Sequence, residues 1–182
     1  MKNTSKTAMG AMIAALSLAL MLSTAILPFM TYAVPMIAGA LIVSIVIECD
    51  KIWAFFVYLT VSILSLLIIP DKSAALAYTL YFGYYPILKS FLESKTSRIT
   101  EQTVKYININ VVVIASYYAL LYFFGFDTDG VEFIAPFLDK WYVCVVLVAV
   151  ASLFLKLYDT ALTKGIIIYN RNIRKKFKKF FR

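Results

Sequence analysis

The chain alternates long apolar runs with short polar breaks. The first run extends from Ala8 to Leu27 and stops before Pro28. The second covers Pro35 to Ile47, extended backward by Phe29, Met30 and Tyr32, and closes on the tetrad Glu48-Cys49-Asp50-Lys51. The third spans Ile52 to Ile69 and ends at the turn signal Pro70-Asp71-Lys72. The fourth, Ala74 to Leu92, is rich in aromatics and contains Gly83, Pro86 and Lys89. A polar stretch from Glu93 to Lys105 separates it from the fifth, Tyr106 to Phe124. An acidic loop, Phe126 to Lys140, precedes the sixth run, Trp141 to Tyr158. A bilayer-spanning helix needs roughly 20 apolar residues. The pattern therefore predicts an all-α integral membrane protein, a bundle of six transmembrane helices.

Composition strengthens that expectation. Of the 182 residues, 62% are hydrophobic and 15% charged, against about 45–50% and 25% in soluble domains. A soluble chain of this length cannot hide so much apolar surface. The division expected is one transmembrane domain, residues 1–165, and a basic tail, residues 166–182. Lys2 and Lys6 before the first run imitate a signal peptide. The run is longer than the usual 7–15-residue core of such a signal, so a retained first helix is expected.

Charge orients the bundle. The formal net charge is +8, but the basic residues sit at the ends of apolar runs, so no nucleic-acid partner is needed to explain them. With the N-terminus inside and six spans, all of the 18 Lys and Arg except Lys72 and Lys140 fall on the cytoplasmic side, as the positive-inside rule requires. Without the fourth span, Lys95, Arg98 and Lys105 would be misplaced. Both termini are accordingly expected in the cytoplasm of a plasma-membrane protein. The tail from Arg171 to Arg182, with Phe177, Phe180 and Phe181 interleaved, suits the surface of an anionic leaflet.

The chemistry available is sparse. The chain has no histidine, and its two cysteines, Cys49 and Cys144, lie near opposite faces in this topology, so neither a metal site, a disulfide nor a cofactor is expected. Glu48, Asp50 and Lys51 form a compact cluster in which Glu48 and Lys51 are expected to pair across the turn. No catalytic residues are assigned, because the spans hold almost no ionisable groups.

Two patterns invite function. On the first helix Ala11, Ala15 and Ala19 recur every four residues, a shallow strip that lets another helix approach closely. It serves either packing within this bundle or docking of another chain. In the fourth run Tyr78, Tyr81 and Tyr85 follow i, i+3 and i+7 on one helix face. They suit either stacking on a flat ligand or an interfacial aromatic belt. Pro86 should bend that helix. Tyr118 and Tyr122 in the fifth run add aromatics toward the outer half, while Asn108 and Asn110 cap or bridge helices.

The segment Lys6-Thr-Ala-Met-Gly-Ala-Met-Ile-Ala-Ala-Leu-Ser17 resembles the opening of the substrate-binding S components of energy-coupling factor transporters. Chain length, six helices and cytoplasmic ends also fit that family. The resemblance implies that Ala11 and Ala15, extended by Ala19, contact a transmembrane coupling subunit driven by two cytoplasmic ATPases. It also implies an outward-facing pocket for a vitamin-like micronutrient, placed near Tyr78, Tyr81, Tyr85, Tyr118, Tyr122 and the loop after Pro28. The histidine-bearing N-terminus of cobalt and nickel members is missing. A membrane scaffold without a ligand is the alternative expectation.

Overall fold

The computed structural model describes residues 3–26, 28–95, 97–124 and 141–173. The acidic loop at 126–140 and the tail beyond residue 173 lie outside them. Among the described residues every element is helical: α1 (Asn3–Leu22), α2 (Ala33–Glu48), α3 (Lys51–Ile68), α4 (Lys72–Ala77), α5 (Tyr85–Lys95), α6 (Arg98–Phe124) and α7 (Trp141–Ile168). A 3-10 turn continues α1 through Ala25, another occupies Pro28–Met30, and π-helical turns cover Tyr78–Phe82 and Tyr169–Ile173. Among the described residues two stretches, Asn3–Ala25 and Lys51–Ile68, are long and apolar enough to cross a bilayer, and the 16-residue α2 is a shorter apolar helix.

The chain divides into two compact units. The first comprises Met1–Thr96 and Thr160–Arg182, the second Ser97–Asp159. In the first, α1 packs on α2 and α3. The buried face of α1 is Met9, Gly10, Ile13, Ser17 and Met21, spaced at one helical turn. Gly10 permits the approach of α3, since a Cβ there would lie 3.0 Å from Val57 Cγ2. Central α2 is buried on more than one side, through Val34, Ala38, Gly39, Ile42, Val43 and Ile45 among others. The core of this unit includes Met9, Ile13, Ile42, Ile45, Val61, Ile69 and Tyr78.

Side chains on α3 partition by size in an unusual sense. Ala54, Val57, Val61, Ser62 and Ser65 face inward. Ile52, Phe55, Phe56, Leu59, Ile63 and Leu67 are exposed. Small and hydroxylated residues fill the inside while the large apolar ones face out, the reverse of what water selects.

The turns are pinned by specific polar contacts. The Asp50 carboxylate receives the Lys6 ammonium at 2.7 Å. Lys51 reaches α5, where its Nζ donates to the Ser90 carbonyl and Ser94 Oγ, each at 3.0 Å. Asp71 caps α4, its Oδ1 accepting from the Ala74 amide, while its Oδ2 accepts from Thr31 Oγ1 at 2.9 Å. Phe29 and Met30 therefore belong to a separate turn held by Asp71, not to a backward extension of α2.

The fourth run is not one regular helix. Its π turn is closed by the Gly83 amide donating to the Tyr78 carbonyl five residues back, at 2.8 Å. Pro86 stands near the start of α5, where its missing amide is tolerated. It offers no donor to the Phe82 carbonyl four residues earlier. That carbonyl faces Gly39, so tightly that a Cβ at position 39 would collide with it.

In the second unit α6 begins at Arg98, so part of the expected polar connection is helix. Lys105 binds Glu101 one turn away at 2.6 Å and Asp159 on α7 at 3.1 Å. Asn110 donates to the Tyr106 carbonyl of its own helix rather than bridging to another.

Candidate functional site

Around the π turn the sequence-selected tyrosines come together. Tyr78, Tyr81 and Tyr85 are all buried, with at most 3% of their surface exposed. The widened turn adds a residue to the helical register and brings the Tyr81 and Tyr85 rings to 5.1 Å at an interplanar angle of 33°. Phe82 meets Tyr81 edge-on at 5.4 Å. An interfacial belt keeps phenol tips in the wet headgroup zone, so burial this complete speaks against that reading for these three.

The α3 residue Tyr58 completes the cluster. Its ring lies 6.4 Å from that of Tyr78 and 6.2 Å from that of Tyr84. Its hydroxyl donates to the Thr79 carbonyl at 2.8 Å, inside the π turn. Gly83 makes the space: a Cβ there would stand 2.6 Å from Tyr58 Cδ2 and 2.9 Å from Tyr78 Cε1. Tyr58 escaped the sequence reading because it lies on another run. The available signal was Gly83, an isolated glycine in a helical aromatic run, which marks a close approach. The tyrosines contact one another in this arrangement, forming an aromatic wall with its phenols held in the interior.

Tyr118 and Tyr122 lie on α6, but their side chains are outside the described residues. The turn after Pro28 is tied to α4 through Thr31 and Asp71.

The alanine strip of α1 is resolved clearly. Ala11, Ala15 and Ala19 are all exposed, on the face opposite Ile13, Ser17 and Met21. Met12 and Leu16 flank the strip and are also about half exposed. Packing within the first unit therefore uses the opposite face of α1 and not these alanines.

Ionisable groups outside the apolar runs hold the helix ends. Burial pushes the Cys49 thiol above its ordinary pKa, partly countered by Lys6 and reinforced by Asp50 and Glu48. Its sulfur lies 4.0 Å from Met9 Sδ. For Lys105, burial opposes the charge, but hydrogen bonds and attraction from Glu101 and Asp159 prevail and raise its pKa. Among the described residues no three His, Cys, Asp or Glu side chains gather where they could hold a metal. Comparison with known proteins yields no matching family model, curated protein or solved structure.

Proposed function

We propose that the chain is the substrate-binding subunit of an ATP-driven micronutrient importer, a six-span plasma-membrane protein with both termini cytoplasmic. It has no catalytic role. It captures a vitamin-like molecule from outside and hands it on through a transmembrane coupling subunit and two cytoplasmic ATPases, as its resemblance to energy-coupling factor S components implies.

The observation that carries the reading is the exposed strip of Ala11, Ala15 and Ala19. In lipid, helices associate by close packing rather than by hiding apolar surface from water, and small residues are what permit it. The same helix turns Met9, Ile13 and Met21 toward the first unit and leaves the smooth face exposed there. The outward-facing phenylalanines and leucines of α3 support a lipid surround. The 27 residues of α6 and 28 of α7 give each helix about 40 Å of length, ample for crossing. The tyrosine cluster around the π turn, Tyr78, Tyr81 and Tyr85, supports a flat, aromatic-compatible ligand.

The test is Ala15→Trp, which fills the strip without touching the buried face. The variant should insert and fold normally yet lose copurification with the coupling subunit and ATPases. Retention of the complete assembly would remove the strip's role. The self-packing of the tyrosines favours, as a second reading, a ligand-free scaffold. A thermal-shift screen of the folded protein against vitamins separates the two, since a scaffold gives a flat response throughout.

A further inference from the structure

At the end of the first unit opposite the Asp71 turn, α2, α5 and the last turn of α7 enclose a cleft of about 320 Å³. Val43, Val46, Ile47 and Ile166 make its apolar wall. Its polar side comes from α5, where Lys89 is buried to 2% exposure and pairs with the half-exposed Glu93 at 2.8 Å. Ser90 and Ser94 also line the cleft, and both are engaged by Lys51 from α3. A lysine ammonium has three donors. Two go to the Ser90 carbonyl and Ser94 Oγ, and the same ammonium lies 5.5 Å from the centroid of the Phe91 ring, so the charge of Lys51 stands beside the serine edge of the cleft.

The cleft thus offers a charge pattern of both signs beside an apolar wall. Two ammonium groups suit a phosphate. A carboxylate one helical turn from the buried lysine suits a hydrogen-bonding cation. The volume is at the low end for small-molecule sites: it admits a polar headgroup and leaves any long chains outside. In the proposed topology this end meets the inner leaflet, where basic pockets between helices take lipid headgroups.

We propose that this cleft holds the headgroup of a phosphatidylethanolamine-type lipid, its phosphate on Lys89 and Lys51 and its primary ammonium on Glu93. An anionic headgroup such as phosphatidylglycerol would bring no cation to Glu93 and would compete with that carboxylate for Lys89. A choline headgroup has no N–H to donate. The inference rests on the membrane-embedded reading of the chain.

Native mass spectrometry of the detergent-solubilised full chain, with phosphatidylethanolamine, phosphatidylcholine or phosphatidylglycerol added at equal concentration, tests it. Phosphatidylethanolamine should be retained about tenfold more than either of the others, the worth of one charge-assisted hydrogen bond. Glu93→Gln should bring it down to the phosphatidylcholine level, and Lys89→Met should weaken all three. Should Lys89→Met fail to fold, the lipid exchange and Glu93→Gln decide. Equal retention of the ethanolamine and choline lipids, or an unaffected Glu93→Gln variant, overturns the proposal. Free phosphoethanolamine binding as tightly as the lipid overturns the lipid assignment. Fractionation of the same cells separates the two failures. A chain missing from the membrane fraction refutes the membrane reading and this site together, whereas a membrane-embedded chain without headgroup preference refutes this site alone.

Discussion

Gly39 and Gly83 carry more of this structure than their size suggests. Gly39 admits the Phe82 carbonyl that Pro86 cannot bind, and Gly83 admits the Tyr58 and Tyr78 rings. A methyl group at either position meets atoms with little room to retreat. Gly39→Ala should cost about 1–3 kcal/mol, the usual range for overpacking, measurable as reduced thermal stability in detergent. Gly165 is the internal control: it has open space around its Cβ position. Gly165→Ala should leave stability unchanged or raise it by roughly 0.5–1 kcal/mol, because alanine costs less than glycine in a helix. Tyr58→Phe removes only the hydroxyl that binds the Thr79 carbonyl, and should cost about 1 kcal/mol while preserving the ring contacts. Lys105 makes a pH prediction. Its pKa is raised above the ordinary 10.5 in the folded chain, so its contribution is whole below that value and fades only as pH climbs through the raised one. Lys105→Met should accordingly lower stability at pH 7 and erase this strongly alkaline loss, which thermal unfolding as a function of pH would display.

At the scale of elements, apolar runs were enough to locate α2, α3, the end of α6 and the start of α7, whereas α1 starts earlier, at Asn3, and α7 runs on to Ile168, ten residues past the expected Tyr158. What escaped the sequence has physical causes. The π turn at Tyr78–Phe82 depends on Tyr58 and Gly39 reaching it from other helices, and its apolar spacing reads as ordinary α. Helix α6 starts at Arg98 although residues 98–105 look like a polar loop. The Glu101–Lys105 pair, one turn apart, gives that segment local support. The tyrosine triad was legible from its i, i+3, i+7 spacing; its Tyr58 partner was not, since contacts between runs leave no periodicity. For α1, spacing alone left two uses of the alanine strip open, and the burial of Ile13 and Ser17 shows only that the first unit packs on the other face.

For the whole molecule, the outward display of Phe55, Phe56, Leu59 and Ile63 above an interior of Ala54, Ser62 and Ser65 is an arrangement suited to hydrocarbon surroundings. The topology proposed for that setting is open to a direct check. In a background without Cys49 and Cys144, a cysteine at position 72 or 140 should react with an impermeant maleimide in intact cells. One at position 6 or 95 should react only after permeabilisation. The importer account then turns on what the alanine face touches. A photo-crosslinking residue at position 15, in cells carrying the native partners, should form an adduct with a membrane subunit that brings two ATPases with it. The same residue at position 56 on α3 should capture only lipid. Lipid adducts alone at both positions would contradict the account.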